Sequence, residues 1–160
     1  FYTLNKSSYE KLILQDKIVN FLKKNKAKTI IKLPQSPSLN HYPLLIDKNM
    51  ISNFFLRYEK IYKSIEINKP KIIILDYFST SIYECLYSNS EIILFLDEYN
   101  LPKPDVIKSL KKRVHIIYKF SELSVLVKKI LENKISKKNE EFKKKFFSIK
   151  NEKIIRELLN

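Results

Sequence analysis

The sequence predicts an α/β domain, an open parallel β-sheet with helices on both faces. Three observations carry that prediction. Four short runs, Thr29–Leu33 (TIIKL), Lys71–Asp76 (KIIILD), Glu91–Leu96 (EIILFL) and Val114–Tyr118 (VHIIY), have the continuous apolar character of strands buried on both faces. Segments of helical periodicity separate these runs, and right-handed crossovers between parallel strands place such helices on the faces of a sheet. The chain has 160 residues, 44% of them hydrophobic, which is the size of one domain with a core that needs neither disulfides nor metals.

Phe1–Leu4 reads as the end of a strand running into a polar turn at Asn5–Ser8. A helix follows, with Ser7 and Glu10 spaced as a capping box. Leu12, Ile13, Ile18, Val19 and Leu22 recur at helical spacing, and the cations of Lys23–Lys28 suit the negative end of that helix. After the TIIKL strand, Pro34, Pro37 and Pro43 mark a loop. Met50, Ile51, Phe54, Phe55, Tyr58, Ile61 and Tyr62 predict a helix over about 48–65. The KIIILD strand leads into a short helix from Ser79 to Ser88, with Asn89 suited to a left-handed cap. EIILFL, a helix over Asp105–Lys112, VHIIY and a helix over Ser121–Glu132 with a Ser121/Ser124 start complete the alternation. Residues 136–160 form an amphipathic C-terminal extension to a domain spanning 1–135; Phe142, Phe146, Phe147, Ile154 and Leu158 mark its apolar positions.

The composition excludes several classes of chemistry. A chain of this length would carry roughly eleven glycines at average usage, and this one has none. Dinucleotide G-x-G-x-x-G loops, Walker A loops and glycine-centred nucleophile elbows are therefore ruled out. One cysteine and two well-separated histidines give no disulfide framework and no zinc cluster. Cys85 reads as a buried thiol within a helix and His115 as a packed strand residue. No membrane span or signal peptide is present, which predicts a cytoplasmic chain, at most peripheral to the inner face of the membrane. The start at Phe1 rather than Met predicts a segment of a longer protein.

A net charge of +14 first suggests nucleic acid. Only Arg57, Arg113 and Arg156 are arginines, however, and the other 28 basic residues are lysines. Arginine is the residue suited to bidentate phosphate and base contacts. With 23 Ile, 13 Asn and no Gly, the lysine excess follows the codon bias of an AT-rich genome. No zinc finger, basic zipper or RNP-type motif appears. These features argue against nucleic acid as the partner, while the basic surface still suits an anionic membrane or a phosphorylated ligand.

Ligands of open parallel sheets bind outside the carboxyl ends of the strands. There the most informative segment is Asp76-Tyr77-Phe78-Ser79-Thr80-Ser81-Ile82-Tyr83-Glu84. Three consecutive hydroxyls at a helix start make an anion site without glycine, whereas an ordinary N-cap needs only one hydroxyl. Glu84 has two readings. It either folds back on Ser81 as a capping-box carboxylate or accepts hydrogen bonds from a ribose diol. Lys32, ending TIIK before the proline loop, is a candidate point charge for a diphosphate, or else one of many lysines on a solvated edge. His41, in SLNHYP, is a weak candidate for a catalytic base or phosphate donor. Asp97 and Glu98 follow a strand and are placed to meet a sugar or base.

The stretch KPKIIILDYFSTSIYECLYSNSEIILFLD resembles the donor-binding half of GT-B-fold transferases that build bacterial surface polysaccharides. In that family a Ser/Thr turn precedes a helix of E-A-L-A type, a Gly or Asn and a P-x-I-x-F strand. Here the matching residues are Ser79–Ser81, Glu84–Tyr87, Asn89 and Ile92–Phe95. Asp76-Tyr77 with the serine turn is also similar to the D-Y-S-S motif of CDP-glycerol glycerophosphotransferases, and Thr29–Pro34 resembles a strand ending in K-x-H-P. Glu91 stands where the family has proline, and the histidine of K-x-H-P is replaced.

The resemblance implies a Rossmann-like domain that binds a nucleotide-linked sugar or alditol. Ser79, Thr80 and Ser81 would hold the diphosphate, Glu84 the ribose, and Lys32 would assist the phosphates. No metal or other cofactor is implied beyond the activated donor. The partner across the cleft would be an N-terminal acceptor-binding domain, without which this segment is an incomplete, inactive transferase. The alternative is a non-catalytic Rossmann-like module whose basic surface docks a protein or an anionic membrane.

Overall fold

The computed structural model describes residues 6–32, 54–57, 60–97 and 101–138. Helix α1 (Lys6–Lys24) is followed by strands β1 (Thr29–Lys32) and β2 (Phe54–Arg57), then helix α2 (Ile61–Asn68). From there the alternation is regular: β3 (Ile72–Leu75), α3 (Ser81–Leu86), β4 (Glu91–Phe95), α4 (Pro104–Leu110), β5 (His115–Ile117) and α5 (Phe120–Leu131). All pairings are parallel. β1 pairs with β2, and β3, β4 and β5 form a three-stranded sheet in that order.

The three-stranded sheet is packed on both faces, as the apolar runs predict. Every residue of β4 is buried. Ile92, Leu94 and Leu96 meet Ile82, Cys85 and Leu86 of α3, Leu110 of α4, and Ile61 and Ile65 of α2. Ile93 and Phe95 point the other way, against Leu14, Ile18 and Phe21 of α1 and Leu123 and Ile130 of α5. The alternation follows from the two-residue period of a strand. Each fully buried Ile or Leu contributes about 1.5–3 kcal/mol of transfer free energy. The phenyl rings of Phe21 and Phe120 meet edge-to-face at 6.4 Å, joining α1 to the start of α5.

The structure corrects several expectations. The helix expected over about 48–65 is not formed as such, because Phe54–Arg57 is a strand and the helix begins only at Ile61. The run NFFLRY fits both the helical and the extended period. Parallel pairing with Thr29–Lys32 gives its backbone the partners that settle the choice. The strands expected in a single sheet fall into two among the described residues. β3 lies at the edge of its three-stranded sheet, with β4 in the middle.

Helix starts also differ. α1 already includes Lys6, so Ser7 stands in its first turn rather than before it. α5 begins at Phe120 rather than at Ser121. There the Glu122 carboxylate accepts hydrogen bonds from the backbone N–H groups of Lys119 (2.8 Å) and Tyr118 (3.2 Å), work a serine was expected to do. α4 starts on Pro104, whose missing N–H costs nothing in the first turn.

Asn89 is not left-handed. Among the described residues those with positive φ are Lys26, Lys69 and Asn133, each closing a helix. Around Lys26 the N–H of Ala27 reaches the Leu22 carbonyl at 3.1 Å and the N–H of Lys26 reaches Lys23 at 2.9 Å. Around Asn133 the corresponding bonds run from Lys134 to Lys129 (2.9 Å) and from Asn133 to Ile130 (3.0 Å). Both are Schellman closures. The expected Phe1–Leu4 strand, the proline loop and the C-terminal extension beyond Lys138 lie outside the described residues.

Candidate functional site

The carboxyl end of β3 carries the turn singled out in the sequence. Leu75 and Phe78 join the core, which fixes the chain on either side of Asp76 and Tyr77. Helix α1 supplies neighbours for both. Gln15 Nε2 donates to Asp76 Oδ2 at 2.5 Å, and the Lys11 ammonium lies 5.1 Å from the centroid of the Tyr77 ring. Gln15 and Lys11 are one turn apart, so a single helix face covers this end of β3.

Ser79, Thr80 and Ser81 follow. Thr80 is the N-cap residue of α3 but is itself in the right-handed helical region (φ −58°, ψ −24°) and makes no side-chain cap hydrogen bond. The N–H groups of Ile82 and Tyr83 are satisfied by the carbonyls of Ser79 and Thr80, both at 3.1 Å. Thr80 therefore lacks the hydrogen bond of an ordinary cap, and the backbone donors just inside the helix are already committed.

Glu84 does not fold back on Ser81 as a capping-box carboxylate. Its Oε2 accepts the backbone N–H of Tyr62 at 2.9 Å. Tyr62 is in the first turn of α2, whose N-cap residue Lys60 provides no side-chain cap. The carboxylate thus caps a neighbouring helix, where both the orphan donor and the helix dipole favour negative charge. This contact also ties α2 to α3, whose Ile61, Ile65, Ile82 and Leu86 share one core.

The other candidates stand on other elements. Lys32 ends β1, opposite Arg57 in the two-stranded sheet. Asp97 is half-buried just beyond β4, at the same edge of the sheet as Asp76. His41 and Glu98 lie outside the described residues. Among the described residues no group of three or more His, Cys, Asp or Glu is placed to hold a metal ion. Cys85 is buried in α3, and burial together with the Glu84 charge pushes its thiol up to about 12, with Arg113 opposing. Such a thiol is not a nucleophile at neutral pH.

At the opposite, amino end of the sheet is a polar cluster that the sequence reading did not assemble. Glu91 and His115 are both buried, and Oε2 of Glu91 lies 3.0 Å from Nε2 of His115. Ser136 Oγ donates to Glu91 Oε1 at 2.5 Å and the Lys137 N–H to Oε2 at 3.0 Å. Burial raises the Glu91 carboxyl, but the hydrogen bonds from Ser136, Lys137 and His115 outweigh it and leave the group below its ordinary value. Burial, with Lys137 and Arg113 nearby, lowers His115 despite its bond to Glu91. The pair is therefore a carboxylate accepting from a neutral imidazole protonated on Nε2.

Arg113 is fully buried beside this pair and forks onto the carbonyls of Ser88 and Ser90, each at 2.8 Å. A signal for the cluster did exist. An acid and a histidine inside two adjacent apolar strands each require a polar partner.

Comparison of the chain with protein-family models, with curated proteins and with solved structures finds no match. Among the described residues, no helix is long and apolar enough to cross a membrane.

Proposed function

We propose that the chain is the donor-binding, Rossmann-like half of a GT-B-type transferase of bacterial surface-carbohydrate synthesis, holding a nucleotide-linked sugar or alditol. The observation that carries this reading is the Ser79–Thr80–Ser81 turn at the carboxyl end of β3, where Thr80, at the cap position, does not cap α3. In this reading the three hydroxyls donate to the diphosphate of the donor and stabilise it as a leaving group. The Ile82 and Tyr83 N–H groups are engaged, so the hydroxyls rather than the helix interior carry the contact. Glu84 Oε2 is engaged with Tyr62, so a ribose diol would be met by its other oxygen. Lys32 would contribute charge from the end of β1. Transfer itself would require an acceptor-binding half, and this segment alone would bind the donor without turnover.

Calorimetric titration with UDP-, GDP- and CDP-linked donors tests the reading. Binding at sub-millimolar donor that weakens about tenfold or more with Thr80→Val is expected, the size of one charge-assisted hydrogen bond. No binding at millimolar concentration of any donor, or binding indifferent to Thr80→Val and Glu84→Ala together, overturns it.

A further inference from the structure

After α5 the chain turns at Asn133 and returns along the amino end of the three-stranded sheet. Residues 135–138 are held there almost entirely by polar contacts. Ile135 packs against the core shared by α1 and α5. Ser136 Oγ and the Lys137 N–H both end on the buried Glu91 carboxylate. The Lys137 ammonium reaches the carbonyls of Lys111 (2.7 Å) and Val114 (3.0 Å), beyond the carboxyl end of α4. Arg113 Nη1 donates to the Lys137 carbonyl at 3.4 Å. Three elements, α4, β4 and β5, are thus tied to one short strap, and Glu91 is its principal anchor.

We propose that residues 135–138 are a releasable strap latched on Glu91, which opens as a local unit while the sheet beneath stays folded. A segment with one apolar contact and several hydrogen bonds near solvent lies at the low-stability end of a fold, whereas β4, buried along its whole length, lies at the high end.

The latch is acid-sensitive. The titratable groups at the latch are His115 from β5, whose imidazole meets Glu91, Lys137 from the strap, whose N–H meets Glu91, and Arg113, whose Nη1 meets the Lys137 carbonyl. Protonating Glu91 removes the charge on which the Ser136 hydroxyl and the Lys137 N–H both end.

Hydrogen exchange on the full chain, with rates corrected for the intrinsic pH dependence, reads the opening directly at the Lys137 amide. At neutral pH the Lys137 amide is expected to exchange through smaller openings than the amides of β4. Ser136→Ala should lower its protection about tenfold, and Glu91→Gln by tenfold or more, the range for hydrogen bonds to a charged group. β4 protection should stay unchanged in Ser136→Ala, the milder variant, whose altered residue is exposed. Acidification below pH 4.5 should lower protection at Lys137 as Glu91 loses its charge, and Glu91→Gln should flatten that response. If Lys137 and β4 share one opening constant, or if Ser136→Ala leaves Lys137 protection unchanged, there is no separate latch.

Discussion

Arg113 provides the most direct test of how the three-stranded sheet is held at its amino end. It is the largest fully buried side chain among the described residues, and its Nη2 spans the carbonyls of Ser88 and Ser90 at 2.8 Å each. Those residues form the turn from α3 into β4. The turn is otherwise held by Ser88 Oγ on the Cys85 carbonyl and by Ser90 Oγ on the Pro70 carbonyl. Arg113→Met keeps the apolar stem and removes the fork, leaving two buried carbonyls without that donor. At about 1–3 kcal/mol for each unsatisfied group, the loss is about 2–6 kcal/mol. Removing a buried cation returns part of this, since its desolvation no longer opposes folding. The expected net loss is about 3 kcal/mol, or a fall in Tm of roughly 6–12 °C for a chain of this size. Arg113→Lys should fall between the two, because an ammonium is a point donor and cannot reproduce the planar fork. Thermal and urea unfolding followed by circular dichroism measures both. An Arg113→Met protein melting within a degree of the parent would show that the fork contributes nothing net and would refute the reasoning.

Two further outcomes follow from the same structure. Lys26 holds a left-handed conformation (φ 51°) at the end of α1. Its strain of about 1–2 kcal/mol is partly offset by the greater unfolded-state freedom of glycine, so Lys26→Gly should raise stability by about 0.5–1 kcal/mol. Urea unfolding of this variant, beside Lys26→Ala as a control without the gain, checks it. The second outcome is a pH profile. His115 lies below 6.5 in the folded chain, so in that interval the unfolded chain binds the extra proton. Its contribution is complete above pH 6.5 and is lost as pH falls through the lowered folded value. Glu91 lies below 4.5 when folded, so a second loss follows as pH falls below 4.5. Stability measured from pH 7 to 3 should decline in those two windows. His115→Gln should remove the first decline, and a variant that retains it assigns that window to another group.

The parts of the fold legible in the sequence are those set by local pattern. KIIILD, EIILFL and VHIIY are strands because continuous Ile and Leu demand burial on both faces, and the helices between them follow from chain connectivity. β2 was hidden because Phe54 and Phe55 satisfy two periods at once, and its partner strand lies more than twenty residues upstream. The candidate turn was readable for the same local reason, as three hydroxyls after a buried strand. The role of Glu84 was not, since its spacing from Ser81 mimics a capping box while its actual partner, Tyr62, is 22 residues away. Glu91 and His115 were each visible as polar residues in apolar strands. Only the parallel pairing of β4 with β5, which sets Ile93 opposite His115, brings them within reach.

The absence of glycine takes on a more definite meaning once the left-handed residues are located. The chain does not avoid positive φ; it places Lys26, Lys69 and Asn133 there. Lys26 precedes β1, Lys69 precedes β3 and Asn133 follows α5, so all three close helices at the ends away from the carboxyl edge of the strands. A backbone anion nest alternates right- and left-handed residues, so that successive N–H groups converge. Among the described residues no left-handed position occurs at the carboxyl edge, and Thr80, at the centre of the candidate turn, is right-handed. A phosphate held at that turn would therefore depend on side chains. That is why Thr80→Val, which keeps shape and removes one hydroxyl, discriminates more sharply here than it would in a glycine loop, where the main chain does most of the binding.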